Sequence, residues 1–339
     1  MKASIKSLVL GAAVPLLFAA SPAGAADIKE HTIKLGYGVP EEHPIGQGVN
    51  KFAELVGQKS GGKIKVNKFP ASVLGGDMQM VSAAQGGVQE MLAVSSAPLV
   101  GLVKEFAIFD FPFIFADEKE ADAVLEGPVG RKLLDKLADK NLIGLCYFEN
   151  GFRNVTNSKR PITKLEDIAG LKLRTIQSPV YLDTFNTLGA NAVPMPFPEV
   201  FGALESKAID GQENPYANIH ASKYYEVQKY LSVTKHAYAP LPVMASKKFW
   251  DKLTADEKKV FQDSCSEARQ YQLKVNREQG AKLLADLKAK GMVVNEIAPQ
   301  EIARMREKVK PVVDKYGKQV GEDLVKQTNS EIEKVKSKK

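Results

Sequence analysis

The stretch Leu142-Ile143-Gly144-Leu145-Cys146-Tyr147-Phe148-Glu149-Asn150-Gly151-Phe152-Arg153-Asn154-Val155-Thr156-Asn157 decides how the chain divides. Its first seven residues form a nearly unbroken apolar run of strand length, the pattern of a strand buried on both faces. Glu149-Asn150-Gly151 is polar and turn-forming, and the alternation starts again from Asn154 to Asn157. This predicts a boundary between two halves near residue 151. Around it, apolar runs and alternation predict strands at 32–37, 64–69, 91–95, 142–148, 171–175, 192–195 and 292–297. Helical periodicity predicts helices at 45–58 and 129–137, and a long one from 254 to about 288. Strand and helix alternate throughout, which predicts an α/β architecture with a mainly parallel sheet. A helix of about 35 residues reaches about 50 Å, longer than one domain of ordinary size is wide, so it is expected to cross both halves. Chain that passes repeatedly between two α/β domains leaves a cleft, the usual place for a small ligand.

The chain has 339 residues, 44% of them hydrophobic, with a formal net charge of +7. This composition excludes disorder, collagen and a disulfide framework, since apolar residues are spread throughout and there are only two Cys. The first 25 residues read as an export leader. Lys2 and Lys6 precede the apolar run 8–20, and Ala23-Gly24-Ala25 is a small-residue cleavage pattern; the alternative is an N-terminal anchor. Cleavage there places the mature protein outside the cytoplasm. The leader takes two of the positive charges, and residues 301–339 carry 11 Lys+Arg against 7 Asp+Glu, so the body is close to neutral. Without aromatic interleaving, that basic tail points to no nucleic-acid partner. Cys146 lies in the predicted buried strand and Cys265 in a polar helical stretch, and the pair is expected to remain unbonded rather than form a disulfide.

Enzyme signatures are scarce. His31, His43, His220 and His236 are isolated, so no metal site is expected, and no cofactor motif is present. Gly57 to Lys63 fits the start of a phosphate loop, but Ile64 stands where Ser or Thr would bind magnesium, so the segment reads as a helix end and turn. Arg153 follows the boundary, and Arg174 ends a predicted strand. Strand ends in open α/β sheets face the crevice, where a guanidinium fork can hold a carboxylate through two hydrogen bonds. A surface salt bridge is the other reading of either arginine.

Four motifs occur in order: Phe69-Pro70 with Leu74-Gly75-Gly76-Asp77; Gly151-Phe152-Arg153-Asn154-Val155-Thr156-Asn157-Ser158-Lys159-Arg160-Pro161-Ile162; Asp167-Ile168-Ala169-Gly170-Leu171-Lys172-Leu173-Arg174; and Asp210-Gly211-Gln212-Glu213-Asn214-Pro215. With these, nearly the whole mature chain resembles the DctP-type solute-binding proteins of tripartite ATP-independent periplasmic (TRAP) transporters. The resemblance implies a two-domain periplasmic binding protein fold, with a ligand cleft between the domains and a long helix crossing both. Domain I would be 26–151 with about 240–279, and domain II 152–239 with about 280–339. It implies capture of an organic acid and its delivery to TRAP membrane permease subunits by a monomer that is not an enzyme.

Among site residues the resemblance assigns Arg174 to the ligand carboxylate, Arg153 and Asn214 to support at the same end, and Asp77 to a polar contact. Ser95 falls where its strand meets the cleft, Phe197 matches an aromatic packed on the ligand, and Tyr37 and His43 lie in a loop that forms part of the wall. Plainer roles stay open: Asp77 as a helix cap, Phe197 as core, Asn214 as a turn residue and His43 as an ordinary loop residue. Gln177-Ser178 and Glu149-Asn150 are positions that bear on specificity. The implied ligand is a four-carbon dicarboxylate, a hydroxy or keto acid, or a sugar acid, and Asp77 with Gln177 tilts the choice towards a hydroxylated acid. A periplasmic enzyme acting on carboxylates and a ligand-sensing partner of a membrane receptor kinase are the competing functions.

Overall fold

A computed structural model describes residues 27–337, and the predicted leader lies outside them. The chain alternates as its periodicity requires, through β1 (His31–Tyr37), α1 (Pro44–Lys59), β2 (Ile64–Phe69), α2 (Asp77–Gly86) and β3 (Met91–Ala93). Short 3-10 turns lead to α3 (Glu118–Glu126) and α4 (Pro128–Lys136), and then to β4 (Leu142–Asn157). A second set follows: β5 (Lys172–Thr175), α5 (Pro179–Thr187), β6 (Asn191–Pro194), α6 (Val200–Glu205), β7 (Gly211–Asn214) and α7 (Tyr216–Ala221). The chain ends with β8 (Tyr230–Ser246), α8 (Lys247–Trp250), α9 (Ala255–Ala289), β9 (Val293–Glu296), α10 (Pro299–Val320) and α11 (Glu322–Lys336).

Residues 149–151 do not turn. They lie within β4, a single 16-residue strand, and both Glu149 and Asn150 are buried. The side-chain amide of Gln272 in α9 satisfies the Glu149 backbone at both ends: Glu149 N donates to Gln272 Oε1, and Gln272 Nε2 donates to Glu149 O, each at 2.8 Å. Turn chemistry remains as a break in register against β8 between Glu149 and Gly151, where Gly151 adopts φ +106°, a conformation that favours glycine.

The sheet is mixed rather than mainly parallel. Its order is β2-β1-β3-β8-β4-β7-β5-β6, with β9 pairing β8. β1/β2, β1/β3, β5/β6, β5/β7 and β8/β9 are parallel, while β3/β8, β4/β8 and β4/β7 are antiparallel. The long strands β4 and β8 pair along their length and serve two neighbourhoods. Residues 243–245 of β8 pair β3, whereas 230–233 pair β9 and residues 154–157 of β4 pair β7.

α9 is 35 residues long, as its period predicts. Its start is fixed by a capping box: Thr254 Oγ1 accepts from Glu257 N at 3.2 Å, and Glu257 Oε2 accepts from Thr254 N at 2.8 Å. It packs on α1, β4 and α7. The unbonded reading of the cysteines is overturned, because Cys146 in β4 and Cys265 in α9 form a disulfide with Cα atoms 5.9 Å apart. The sequence around Cys265 reads as polar because it shows the solvent face of α9. The inner face carries Val260, Phe261, Ser264, Cys265, Ala268 and Gln272, all buried against β4 and α1. At the other end of α1, Ser60, Gly61 and Gly62 form the predicted helix end and turn into β2.

Candidate functional site

A cavity lies where β4 and β8 pass between the two neighbourhoods. Seven of the eight predicted site residues line it: Arg174, Arg153, Asn214, Asp77, Ser95, Phe197 and Gln177. Tyr37 does not, and that expectation is corrected. Strand alternation puts Tyr37 on the same face of β1 as Ile33 and Leu35, fully buried in the core under α1, and Gly38 and Val39 reach the cavity instead.

The two arginines have different surroundings. Arg153 projects from β4 and is 1% exposed. Its Nε and Nη2 form a two-pronged ion pair with the Glu213 carboxylate, and Nη2 also donates to Glu213 O at 2.7 Å and to Asn214 Oδ1 at 3.1 Å. Burial alone would raise the Glu213 carboxyl, but Arg153 and His236 hold it down at about 2. His236 reaches Glu213 Oε2 from a register shift in β8, with Nε2 at 3.2 Å, and its Nδ1 lies 2.7 Å from Thr234 Oγ1. Burial lowers the His236 pKa, so the ring is neutral, with Nδ1 accepting and Nε2–H donating.

Arg174, near the end of β5, is equally buried at 1% exposure, but among the described residues its only hydrogen-bond acceptor is a neutral carbonyl. Nε and Nη2 both donate to Met195 O, at 3.0 and 2.6 Å. Its Nη1 is buried without a partner, and among the described residues no carboxylate forms an ion pair with it. A buried, unpaired guanidinium is costly unless an anion completes it. The cavity therefore presents one guanidinium that no ion pair completes.

The remaining polar groups divide into donors and acceptors. Asp77 does not cap α2; Gln79 Oε1 accepts from Gly76 N in that role, at 2.8 Å. Asp77 Oδ2 instead accepts from Ser95 N at 3.2 Å, which ties α2 to the segment after β3. Desolvation raises its carboxyl to about 6, although the Ser95 bond and the two arginines pull the other way. Asn214 is more than a turn residue, because its amide links Arg153 to Gln212 Oε1 at 2.5 Å. Phe197, held between Pro196 and Pro198, is half-buried and meets Tyr224 edge-on with ring centres 6.4 Å apart.

Two asparagines join the wall without having been assigned a contact from sequence. Asn150 is 4% exposed, and its Oδ1 is buried with no partner. Asn218, also 4% exposed, sits in α7, four residues after Asn214 at the end of β7. Asn150 had a signal, its place in the polar break of β4; Asn218 had only its spacing. Apolar contact comes from Val39, Ile45, Val94, Ile176 and Leu241. His43 does not line the cavity; it caps α1 and touches Asn218. Among the described residues no cluster of three or more His, Cys, Asp or Glu could hold a metal ion, and no helix is long and apolar enough to cross a membrane.

The model of the family described as bacterial extracellular solute-binding protein, family 7 (DctP), matches residues 35–319. A crystal structure of the sugar acid binding protein from Advenella mimigardefordensis strain DPN7T in complex with galactonate is 46% identical. It superposes with a TM-score of 0.89 over 91% of this chain and 99% of that one. A TRAP periplasmic solute-binding protein from Polaromonas sp. JS666 bound to D-erythronate is 39% identical, with a TM-score of 0.85 over 88% and 98%. The C4-dicarboxylate-binding periplasmic protein DctP of Rhodobacter capsulatus is 34% identical over 95% of this chain and 96% of that protein.

Proposed function

The chain belongs to the DctP family of bacterial extracellular solute-binding proteins, and from that premise we propose that it captures a hydroxylated monocarboxylic acid in this cavity and presents it to TRAP membrane subunits. The observation that carries the anion is Arg174, whose Nη1 is buried without a partner. A ligand carboxylate supplies the missing acceptor and charge, and the fork geometry favours a carboxylate over a spherical anion. One guanidinium without an ion-pair partner suits one carboxylate. Arg153 braces the site through Glu213 and Asn214 rather than supplying a second free charge. A second ligand carboxylate would meet Asp77, whereas ligand hydroxyls find acceptors in Asp77 and Asn150. The acids bound by the Advenella and Polaromonas proteins, galactonate and D-erythronate, are hydroxylated monocarboxylates and support this choice.

The protein is a binding protein and not an enzyme, as its relatives are. We place it in the periplasm as a monomer, with the leader removed near Ala25. The proposed lobes are 26–151 with about 240–279 and 152–239 with about 280–339, which follows the change of sheet neighbours along β4 and β8. α11 packs back on α3 and α4 and ties the end of the chain to the first lobe. Closing of the lobes excludes water and strengthens the Arg174–carboxylate pair.

Calorimetry of the ligand-free protein with galactonate, erythronate and succinate tests the reading. The two hydroxylated acids should bind more tightly than succinate. Arg174→Ala should lower affinity at least 100-fold, about 3 kcal/mol, as expected for losing a buried charge-assisted pair. Unchanged affinity in that variant overturns the assignment. Recovery of the acid unaltered after incubation separates binding from turnover.

A further inference from the structure

The inference that follows rests on the reading above, that the cavity holds a hydroxylated acid. His43 lies between β1 and α1, on the first-lobe side, and is 2% exposed. Its Nδ1 accepts from Ile45 N at 3.1 Å, which caps α1. Burial lowers its pKa to about 4, so the ring is neutral at physiological pH. A neutral imidazole that accepts at Nδ1 carries its proton on Nε2. That proton points to the second lobe, where Asn218 Oδ1 of α7 lies 3.3 Å away.

The geometry therefore fixes which end of the Asn218 amide faces which way. Oδ1 is taken by the histidine. Among the described residues Nδ2 has no hydrogen-bond partner, and Asn218 lines the cavity. On the same cavity, Asn150 Oδ1 is a buried acceptor with no partner. We propose that His43 is a positioning residue, reaching across the cleft to turn Asn218 so that its amino group faces the ligand, and that Asn218 and Asn150 together select ligands carrying hydroxyls. A hydroxyl both donates and accepts, so it matches one free acceptor and one free donor. An acid without hydroxyls leaves both amides unsatisfied in a water-excluding cavity, a stronger discrimination than an apolar pocket gives. None of this requires His43 to touch the ligand.

The test is calorimetry of the full mature protein with galactonate, and with succinate as the acid lacking hydroxyls. His43→Asn keeps a good helix cap but is too short to reach Asn218, so the ligand-free melting temperature should stay close to wild type. Galactonate affinity should fall about 10-fold in His43→Asn and in Asn218→Ala, and no further in the double variant, because the two act as a unit. Succinate affinity should change less than 2-fold in each. His43→Gln, whose amide can donate in place of Nε2–H, should recover part of the loss. Wild-type galactonate affinity in His43→Asn overturns the positioning role, as do single losses that multiply in the double variant. An equal loss for succinate assigns His43 to structure alone and also overturns it. A wild-type protein that binds neither acid overturns the proposed function itself, and one that binds succinate more tightly overturns the hydroxyl selection.

Discussion

Two buried arginines share one cavity and differ in what neutralises them. The sequence offers Arg153 and Arg174 as equals, each at a strand position facing the crevice. Glu213 makes the difference, and it sits inside a motif read for Asn214 alone. Whether a guanidinium is free or already paired depends on a contact 60 residues away in the chain, which spacing does not encode. Asp77 shows the same limit. Its neighbourhood to α2 suggested a cap, yet it serves Ser95 and the cavity, and it lies under a desolvation that no local pattern reveals. A folded-state carboxyl near 6 stands above its ordinary value of 3.8, so between those pH values the folded protein holds more protons than the unfolded chain. Stability of the ligand-free protein should fall as pH rises from 4 to 6 and then level off on this account, by on the order of 2 kcal/mol. Asp77→Asn should flatten that part of the profile, and urea midpoints at pH 4, 5, 6 and 7.5 measure it. An unchanged slope in the variant would place the titration elsewhere.

At the scale of elements, the disulfide ties β4 to α9 only three residues before the register break at Glu149. It closes a loop with a sequence separation of 119 residues. Removing it as Cys146→Ser with Cys265→Ser should cost about 3–5 kcal/mol through the freedom returned to the unfolded chain. Urea titration of wild type and the double variant gives the difference, and a loss below 1 kcal/mol would show that packing of α9 on β4 and α1 suffices. Elements with a clean period were legible: β2 was bounded correctly, and α1 and α9 came within a residue or so at each end. The bond between two of them was not, because Cys265 sits on the inner face of a helix whose outer face is charged. β7 and β8 were missed altogether. β8 reads Tyr-Leu-Ser-Val-Thr-Lys-His-Ala-Tyr-Ala-Pro-Leu-Pro-Val-Met-Ala-Ser, and its two prolines argue against an inner strand. They are tolerated because they contribute carbonyls: Pro240 O accepts from Ser96 N and Pro242 O from Val94 N. Four of the residues that line the cavity, Asp77, Arg153, Arg174 and Asn214, stand in short motifs, whereas β8, one of the two strands that join the lobes, has no clean alternation.

For the whole molecule, β4 and β8 make the division into lobes a matter of space rather than of chain order. The first lobe draws β1, β2 and β3 from the beginning of the chain but takes residues 243–245 as the partner of β3, and α9 as the cover of α1. A fragment covering residues 27–151 lacks both. It should show no cooperative thermal transition by circular dichroism, and a sigmoidal melt would mean that the first lobe is an independent folding unit.

The shared β4–β8 pair also sets an order in time. The strand that completes the sheet beside β3 is made roughly 150 residues after β3 itself, so a growing chain has no finished first lobe until that much more of it has been made. Late closure of the sheet makes the Cys146–Cys265 bond late as well, since Cys265 follows β8 in the chain.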